Sequence, residues 1–279
     1  MLNWMKKAAV AAAIAIASST IVAPPAGAIA GGRVNNADSL ALLILGGSQC
    51  SGTVIAPEWV VTAKHCVHQG NSAIFIKKEN YYPKEAVLHP KNDLALIRLD
   101  RPTSATPTPL ATSHLQPQER ATVAGWGGDE LTGALMADAV VQRRVHNLPD
   151  PLAGVTVIES QIERGRIQLG DSGGPLFDDQ GKLAGVQSAA AGPGTVAFHV
   201  PVTENVEWIS RHAGIPQPQV TDQPSDDGLG DVYKRQDVDA AKYPTVVPQP
   251  RIPVTGSSVL ESVLNYGLDL RSIPIPMSS

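Results

Sequence analysis

Three residues of this 279-residue chain have the types needed to attack a carbonyl carbon and shuttle the proton involved. Ser172 lies in Gly170-Asp171-Ser172-Gly173-Gly174-Pro175, His65 in Thr62-Ala63-Lys64-His65-Cys66, and Asp93 in Asn92-Asp93-Leu94-Ala95-Leu96. A serine hydroxyl is a poor nucleophile at neutral pH, so it needs an imidazole to take its proton and a carboxylate to hold that imidazole in the right tautomer. The negative charge that develops on the attacked oxygen needs donors as well, and the backbone N–H groups of Gly170 and Ser172 are the natural pair. Taken alone, a serine between glycines also suits the strand-to-helix elbow of an α/β-hydrolase, in which an acid and then a histidine follow the serine. His199 and His212 stand downstream, but no alternating strand–helix pattern and no upstream HGG-type loop accompany them. The order His65, Asp93, Ser172 is therefore preferred.

The elements that must position these groups read as strands. Short apolar runs alternate with Gly, Pro and Asn breaks: Leu40 to Leu45, Thr53 to Ile55, Trp59 to Thr62, Ala73 to Ile76, Leu94 to Leu99, Ala121 to Ala124, Ala139 to Val145, Pro175 to Phe177, Leu183 to Gln187 and Thr195 to Val200. Strand-length runs at this spacing predict an all-β sandwich or barrel. Within Pro201 to Gly214, Val202, Val206 and Ile209 have near-helical spacing, with Thr203 as the cap and Gly214 as the stop, so one terminal helix is expected. Residues 215–279 differ, holding nine of the 23 prolines and few contiguous apolar residues. Such a segment buries too little apolar surface to offset chain entropy, so a disordered or extended tail is expected, with a short helix at Ser258 to Leu270. The run Gly228 to Gln236 sits oddly between its neighbours.

Residues 1–28 read as a secretory leader. Lys6 and Lys7 begin it, Ala8 to Val22 is small and apolar, and Ala26-Gly27-Ala28 has the A-x-A form of a cleavage site. The apolar run is shorter than the roughly 18–20 residues of a membrane span, and Pro24-Pro25 interrupts it. Export, to the medium or the cell envelope, is expected, without stable membrane insertion after cleavage. The formal charge of -4 becomes -6 once Lys6 and Lys7 leave, and no basic stretch points to nucleic acid. Two cysteines occur, Cys50 and Cys66, with 15 residues between them. An even pair in an exported chain favours a disulfide; two thiols make a metal site unlikely, and the spacing excludes a redox CxxC.

Together the segments around His65, Asp93 and Ser172 resemble the trypsin/chymotrypsin family of serine endopeptidases, in its bacterial secreted form, from about Ile29 to Gly214. Val61-Thr62-Ala63-Lys64-His65-Cys66 resembles the family's VTAAHC, with Lys64 in place of a small residue. Asp93 to Leu99 resembles DIALIKL. The resemblance implies two six-stranded antiparallel β-barrels, 29–214, with the site between them, and a Cys50–Cys66 bond bracing the loop of His65. It implies that Ser188, in Gly185-Val186-Gln187-Ser188, supports Asp93. It also implies that Ile29-Ala30-Gly31-Gly32 is the activation segment, whose free amine pairs with Asp171. Ile29 directly follows the expected cleavage point, so leader removal itself would free it.

The specificity positions depart from the family. Arg166 stands six residues before Ser172, where trypsin-like members carry an aspartate. Gln168 replaces a cysteine, Ser188-Ala189-Ala190 replaces SWG, and Thr195 stands where a glycine would keep the pocket open. An arginine at the pocket base would repel Lys and Arg and favour an acidic P1 side chain, unless it points to solvent. The expected activity is peptide-bond hydrolysis through an acyl-enzyme on Ser172, by a monomer acting on polypeptides without metal or organic cofactor. The alternatives are a protease-like binding protein with an altered pocket and a secreted serine esterase.

Overall fold

The computed structural model describes residues 29–225, apart from 36, 129–132, 147 and 149–151. The leader at 1–28, the tail beyond Ser225, the helix expected at Ser258 to Leu270 and the run Gly228 to Gln236 lie outside the described residues. The first barrel contains β2 (Leu40–Leu45), β3 (Ser48–Ala56), β4 (Trp59–Thr62), β5 (Ser72–Ile76), β6 (Glu79–Tyr81), β7 (Pro83–Leu88) and β8 (Ala95–Leu99). The second contains β1 (Arg33–Val34), β9 (Arg120–Gly125), β10 (Leu135–His146), β11 (Thr156–Ile162), β12 (Pro175–Phe177), β13 (Leu183–Ala191) and β14 (Val196–Pro201), and α1 (Val206–Ala213) follows.

Every strand pairing is antiparallel, and the architecture is the expected all-β pair of barrels with a helix near the end of the described chain. Six strands of the second sheet close on themselves in the order β9-β10-β11-β14-β13-β12, because β9 pairs with both β10 and β12. The seventh, β1, adds to β10 through Arg33↔Met136. The first sheet runs β6-β5-β2-β3-β4-β8-β7 without a ladder between its ends. Only Tyr82 separates β6 from β7, so one stretch of chain pairs with β5 before its kink and with β8 after it. That is why seven short strands occur where six were expected.

Each barrel has its own core. Leu43, Ile74, Ile97 and Leu99 fill the first. Ile29, Val141, Ile158 and Leu176 fill the second, so the N-terminal segment anchors in the second barrel before the chain begins the first. A third cluster joins the barrels, with Val61, Leu94 and Leu96 meeting Val186, Val200 and the α1 residues Val206, Trp208 and Ile209. The helix starts later than the sequence pattern suggested: Asn205, not Thr203, holds the N-cap position, and Gly214 ends it in the left-handed region with its N–H on the Ser210 carbonyl.

The tail boundary at Gly214 requires a correction. Residues 215–225 lie along the barrels: Ile215 and Val220 pack against the inter-barrel cluster. The Asp222 carboxylate accepts from the His114 N–H at 2.9 Å and contacts its ring at 3.0 Å, the Thr221 N–H bonds the Thr112 carbonyl at 3.0 Å, and Arg144 donates to the Ser225 carbonyl at 3.1 Å. These contacts are spaced and mostly polar, so hydrophobic patterning did not reveal them.

Candidate active site

Strand β4 delivers Thr62 to the barrel interface, and a short 3-10 turn, Lys64–Cys66, then carries His65 inward. Asp93 sits on the turn between β7 and β8. It accepts the His65 backbone N–H at 2.9 Å through Oδ1 and contacts His65 Nδ1 at 2.7 Å through Oδ2. The Ser188 hydroxyl, from β13 of the other barrel, donates to the same Oδ2 at 2.5 Å. The His65 and Asp93 side chains are only 9% and 12% exposed. Burial alone would push the histidine down and the aspartate up. The charge and hydrogen bonds of each partner outweigh that, so His65 titrates above its ordinary value and Asp93 below it. The imidazole is thereby held with Nδ1 toward the carboxylate.

The turn under Asp93 is itself braced. His89 Nδ1 accepts the N–H groups of Lys91 and Asn92 at 3.2 and 2.8 Å, and burial, reinforced by nearby cations, pushes that ring down to about 4, so it stays neutral. Asn92 donates to the Asn205 side chain at 2.7 Å, tying the turn to the start of α1. Lys64, the residue that departs from the family pattern, is buried, and its ammonium donates to the His89 carbonyl at 3.0 Å. Burial lowers its pKa, against the pull of Asp93.

Ser172 lies in a loop pinned from both barrels. Its carbonyl accepts the Ser51 N–H at 2.7 Å, and the Ser51 hydroxyl donates to the Gly170 carbonyl and accepts the Trp126 N–H, both at 2.8 Å. Thr62 donates to the Ser51 carbonyl at 2.8 Å, and Gln49 donates to the Trp126 carbonyl at 2.5 Å. Gly170 has φ +97°, and a Cβ there would lie 2.8 Å from Gly127 Cα, so only glycine fits. Ser51 and Gln49 escaped the sequence reading, and Thr62 stood in the His65 motif without a role of its own. The only signal was the adjacency of Ser51 to Cys50.

Asp171 is 1% exposed, and its carboxylate accepts the N–H groups of Gly127 and Gln168, both at 2.8 Å. The Ile29 N–H also hydrogen-bonds it, and the Ile29 side chain is fully buried in the second core. Desolvation outweighs these three donors and pushes Asp171 up to about 7. Ile29 and Asp171 are therefore adjacent.

Cys50 and Cys66 are joined by a disulfide. Their sulfurs and a ring nitrogen of His65 lie within 4.8 Å of one another, but each sulfur is bonded to the other and offers no thiolate to a metal. At the specificity positions, Ser188 turns to Asp93 and Thr195 is half-buried. Arg166 is exposed to solvent instead of enclosed at a pocket base, so its charge meets water, which weakens its power to select an acidic side chain. Among the described residues, no helix is long and apolar enough to cross a membrane.

The trypsin family profile matches residues 29–209. The chain is 36% identical over 274 residues to an uncharacterized peptidase of Corynebacterium glutamicum, covering 91% of this chain and 94% of that one. It is 30% identical over 211 residues to a protein C activator of Agkistrodon contortrix contortrix, covering 63% and 91%. Human heparin binding protein superposes with a TM-score of 0.55 at 23% identity over 68% of this chain and 99% of that one, a likeness of fold alone. With a paired histidine and aspartate facing a glycine-bounded serine loop between two β-barrels, the chain belongs to the trypsin family of serine endopeptidases.

Proposed function

We propose that the protein is exported and hydrolyses polypeptides through an acyl-enzyme on Ser172. His65 takes the Ser172 proton at Nε2 as Oγ attacks the scissile carbonyl carbon. Asp93, steadied by Ser188, holds the ring and stabilises the imidazolium. The oxyanion is met by the N–H groups of Gly170 and Ser172, each worth about 3–4 kcal/mol in a site of this kind. When the carbon–nitrogen bond breaks, His65 returns the proton to the leaving amine; water, deprotonated by the same ring, then releases the acid and restores Ser172.

The observation that carries this reading is the buried line Ser188–Asp93–His65, in which one barrel supplies the hydroxyl and the other the carboxylate and ring. Removal of residues 1–28 would convert the Ile29 amide into an ammonium beside Asp171, ordering the loop that holds Gly170. Incubation with a fluorophosphonate tests the machinery. Covalent labelling at Ser172 is expected, and its absence would favour a binding protein with this fold. Turnover of peptides and not merely of simple esters separates the endopeptidase from the esterase.

A further inference from the structure

Two buried polar atoms next to the serine loop have no hydrogen-bond partner: Oε1 of Gln187 and Nε2 of His199. Both side chains are almost fully buried, at 3% and 0% exposure. They stand opposite one another, because Gln187 on β13 is the register partner of His199 on β14, and directly paired residues project from the same face of a sheet. A buried polar group left unpaired carries a desolvation penalty, and such groups are uncommon enough in folded chains to call for a partner.

Their surroundings indicate what that partner is. The backbone of Gln187 bonds the Gly173 N–H and the Gly174 carbonyl, both at 2.8 Å, which places this residue directly behind Ser172. On the other side the Ile167 N–H bonds the Gly194 carbonyl at 2.9 Å. These links and the β13–β14 ladder bring the segments 167–174, 187–191 and 194–199 together beside the nucleophile. On the His199 face of this ladder the paired residues Ala190 and Ala197 are small. Between Ser188 and Val200 the chain carries no Asp, Glu, Lys or Arg. Arg166 lies in solvent, and the Asp171 carboxylate is turned to Gly127 and Gln168.

The hydrogen-bonding roles of the two atoms differ. Gln187 directs its Nε2 to the Ala189 carbonyl at 2.6 Å, leaving Oε1 as an acceptor. His199 Nδ1 lies 3.5 Å from the Ser160 hydroxyl and the ring also meets the Ile158 backbone; in the tautomer in which Ser160 donates to Nδ1, the ring proton stands on Nε2 as a donor. Burial drives His199 down to about 3, so the ring is neutral at working pH and offers no full charge to a carboxylate. One acceptor and one donor, uncharged and side by side, match the NH2 and C=O of a primary carboxamide.

We propose that Gln187 and His199 determine specificity by receiving a P1 side chain that ends in a carboxamide, so that the enzyme cleaves after glutamine or asparagine. This rests on the endopeptidase reading above. A site built to hydrogen-bond a polar group discriminates strongly against analogues lacking it, because its own groups are then left unpaired.

The test uses the processed protein beginning at Ile29, with matched peptides carrying Gln, Asn, Glu, Met or Lys at P1. A higher kcat/KM for Gln or Asn than for Glu and for Met, which is close to Gln in shape, is expected, and the Gln–Asn ratio shows how deep the paired atoms lie. Gln187→Leu should reduce the Gln-over-Met ratio about 5- to 150-fold by leaving the carboxamide N–H unmatched. His199→Phe should act in the same direction on the carbonyl. The unmodified enzyme decides the question even if a variant fails to fold: a profile led by Lys, Glu or Met would overturn the inference. Fluorophosphonate labelling keeps the two readings separable. Labelling with a profile indifferent to carboxamides refutes this inference alone, whereas no labelling refutes the catalytic reading beneath it.

Discussion

Asp171 supplies a measurable signature of processing. With Ile29 still in peptide linkage, its carboxyl titrates at about 7 against an ordinary 3.8. A gap of roughly three units at about 1.36 kcal/mol each makes ionising this buried acid unfavourable by about 4 kcal/mol. The folded chain then binds a proton that the unfolded chain has already released between these pH values. Stability is intact below about pH 4, falls as pH rises, and is fully reduced above about 7. Cleavage before Ile29 places an ammonium where the amide N–H was, drawing the Asp171 pKa down and removing that loss. The amine's own folded pKa rises above about 7.7–8.0, so the pair's stabilisation is lost only as pH passes that higher value. Cleavage also removes the φ of +45° that Ile29, a β-branched residue, adopts while its amide is bonded to residue 28. Urea denaturation from pH 5 to 9 would compare two chains carrying Ser172→Ala, one starting at Ala28 and one at Ile29. The Ala28 chain should weaken steadily up to pH 7 while the Ile29 chain holds, with the difference approaching a few kcal/mol. Parallel curves would refute the assignment of Ile29 and Asp171 as a pair.

Three further outcomes are expected. Ser172→Ala and His65→Ala should each reduce kcat by about 10⁶, with the double variant little worse; additive losses in single-turnover assays would argue against one catalytic unit. Denatured exported protein should contain no titratable thiol, and replacing Cys50 and Cys66 by Ala should destabilise it by about 3 kcal/mol in chemical denaturation. Truncation after Gly214 should lower the melting temperature by several degrees relative to truncation after Ser225, since Ile215, Val220 and Asp222 would be lost; equal melting temperatures would show that this segment adds nothing.

Much of the site was legible because its chemistry is written in contiguous residues. His65, Asp93 and Ser172 each stand in a run whose neighbours serve the same local purpose. Strands β2, β4 and β8 were equally plain from their apolar runs. Strand β11 was missed because Glu159, Ser160 and Gln161 interrupt its apolar character, although the first two are buried and Glu159 pairs with Arg143 at 3.1 Å. Strands β6 and β7 were hidden by Lys77, Lys78 and Pro83. The roles of Ser51, Gln187 and His199 depend on register and on contacts across more than a hundred residues or between facing strands, which no local window contains. For Arg166 a count from Ser172 left two placements open, pocket base or solvent, and the side chain is exposed.

Ser51 makes the two barrels answerable to each other. Its N–H, hydroxyl and carbonyl engage Ser172, Gly170 with Trp126, and Thr62, so a residue of the first barrel fixes the shape of a loop that belongs to the second. Separation of the barrels by even a few ångströms would release that loop and part Ser188 from Asp93 in the same motion. A damaged or half-folded molecule would thus lose its cutting ability before it exposes much of its own chain. In a crowd of identical proteases, the copies most vulnerable to digestion would also be the least able to digest.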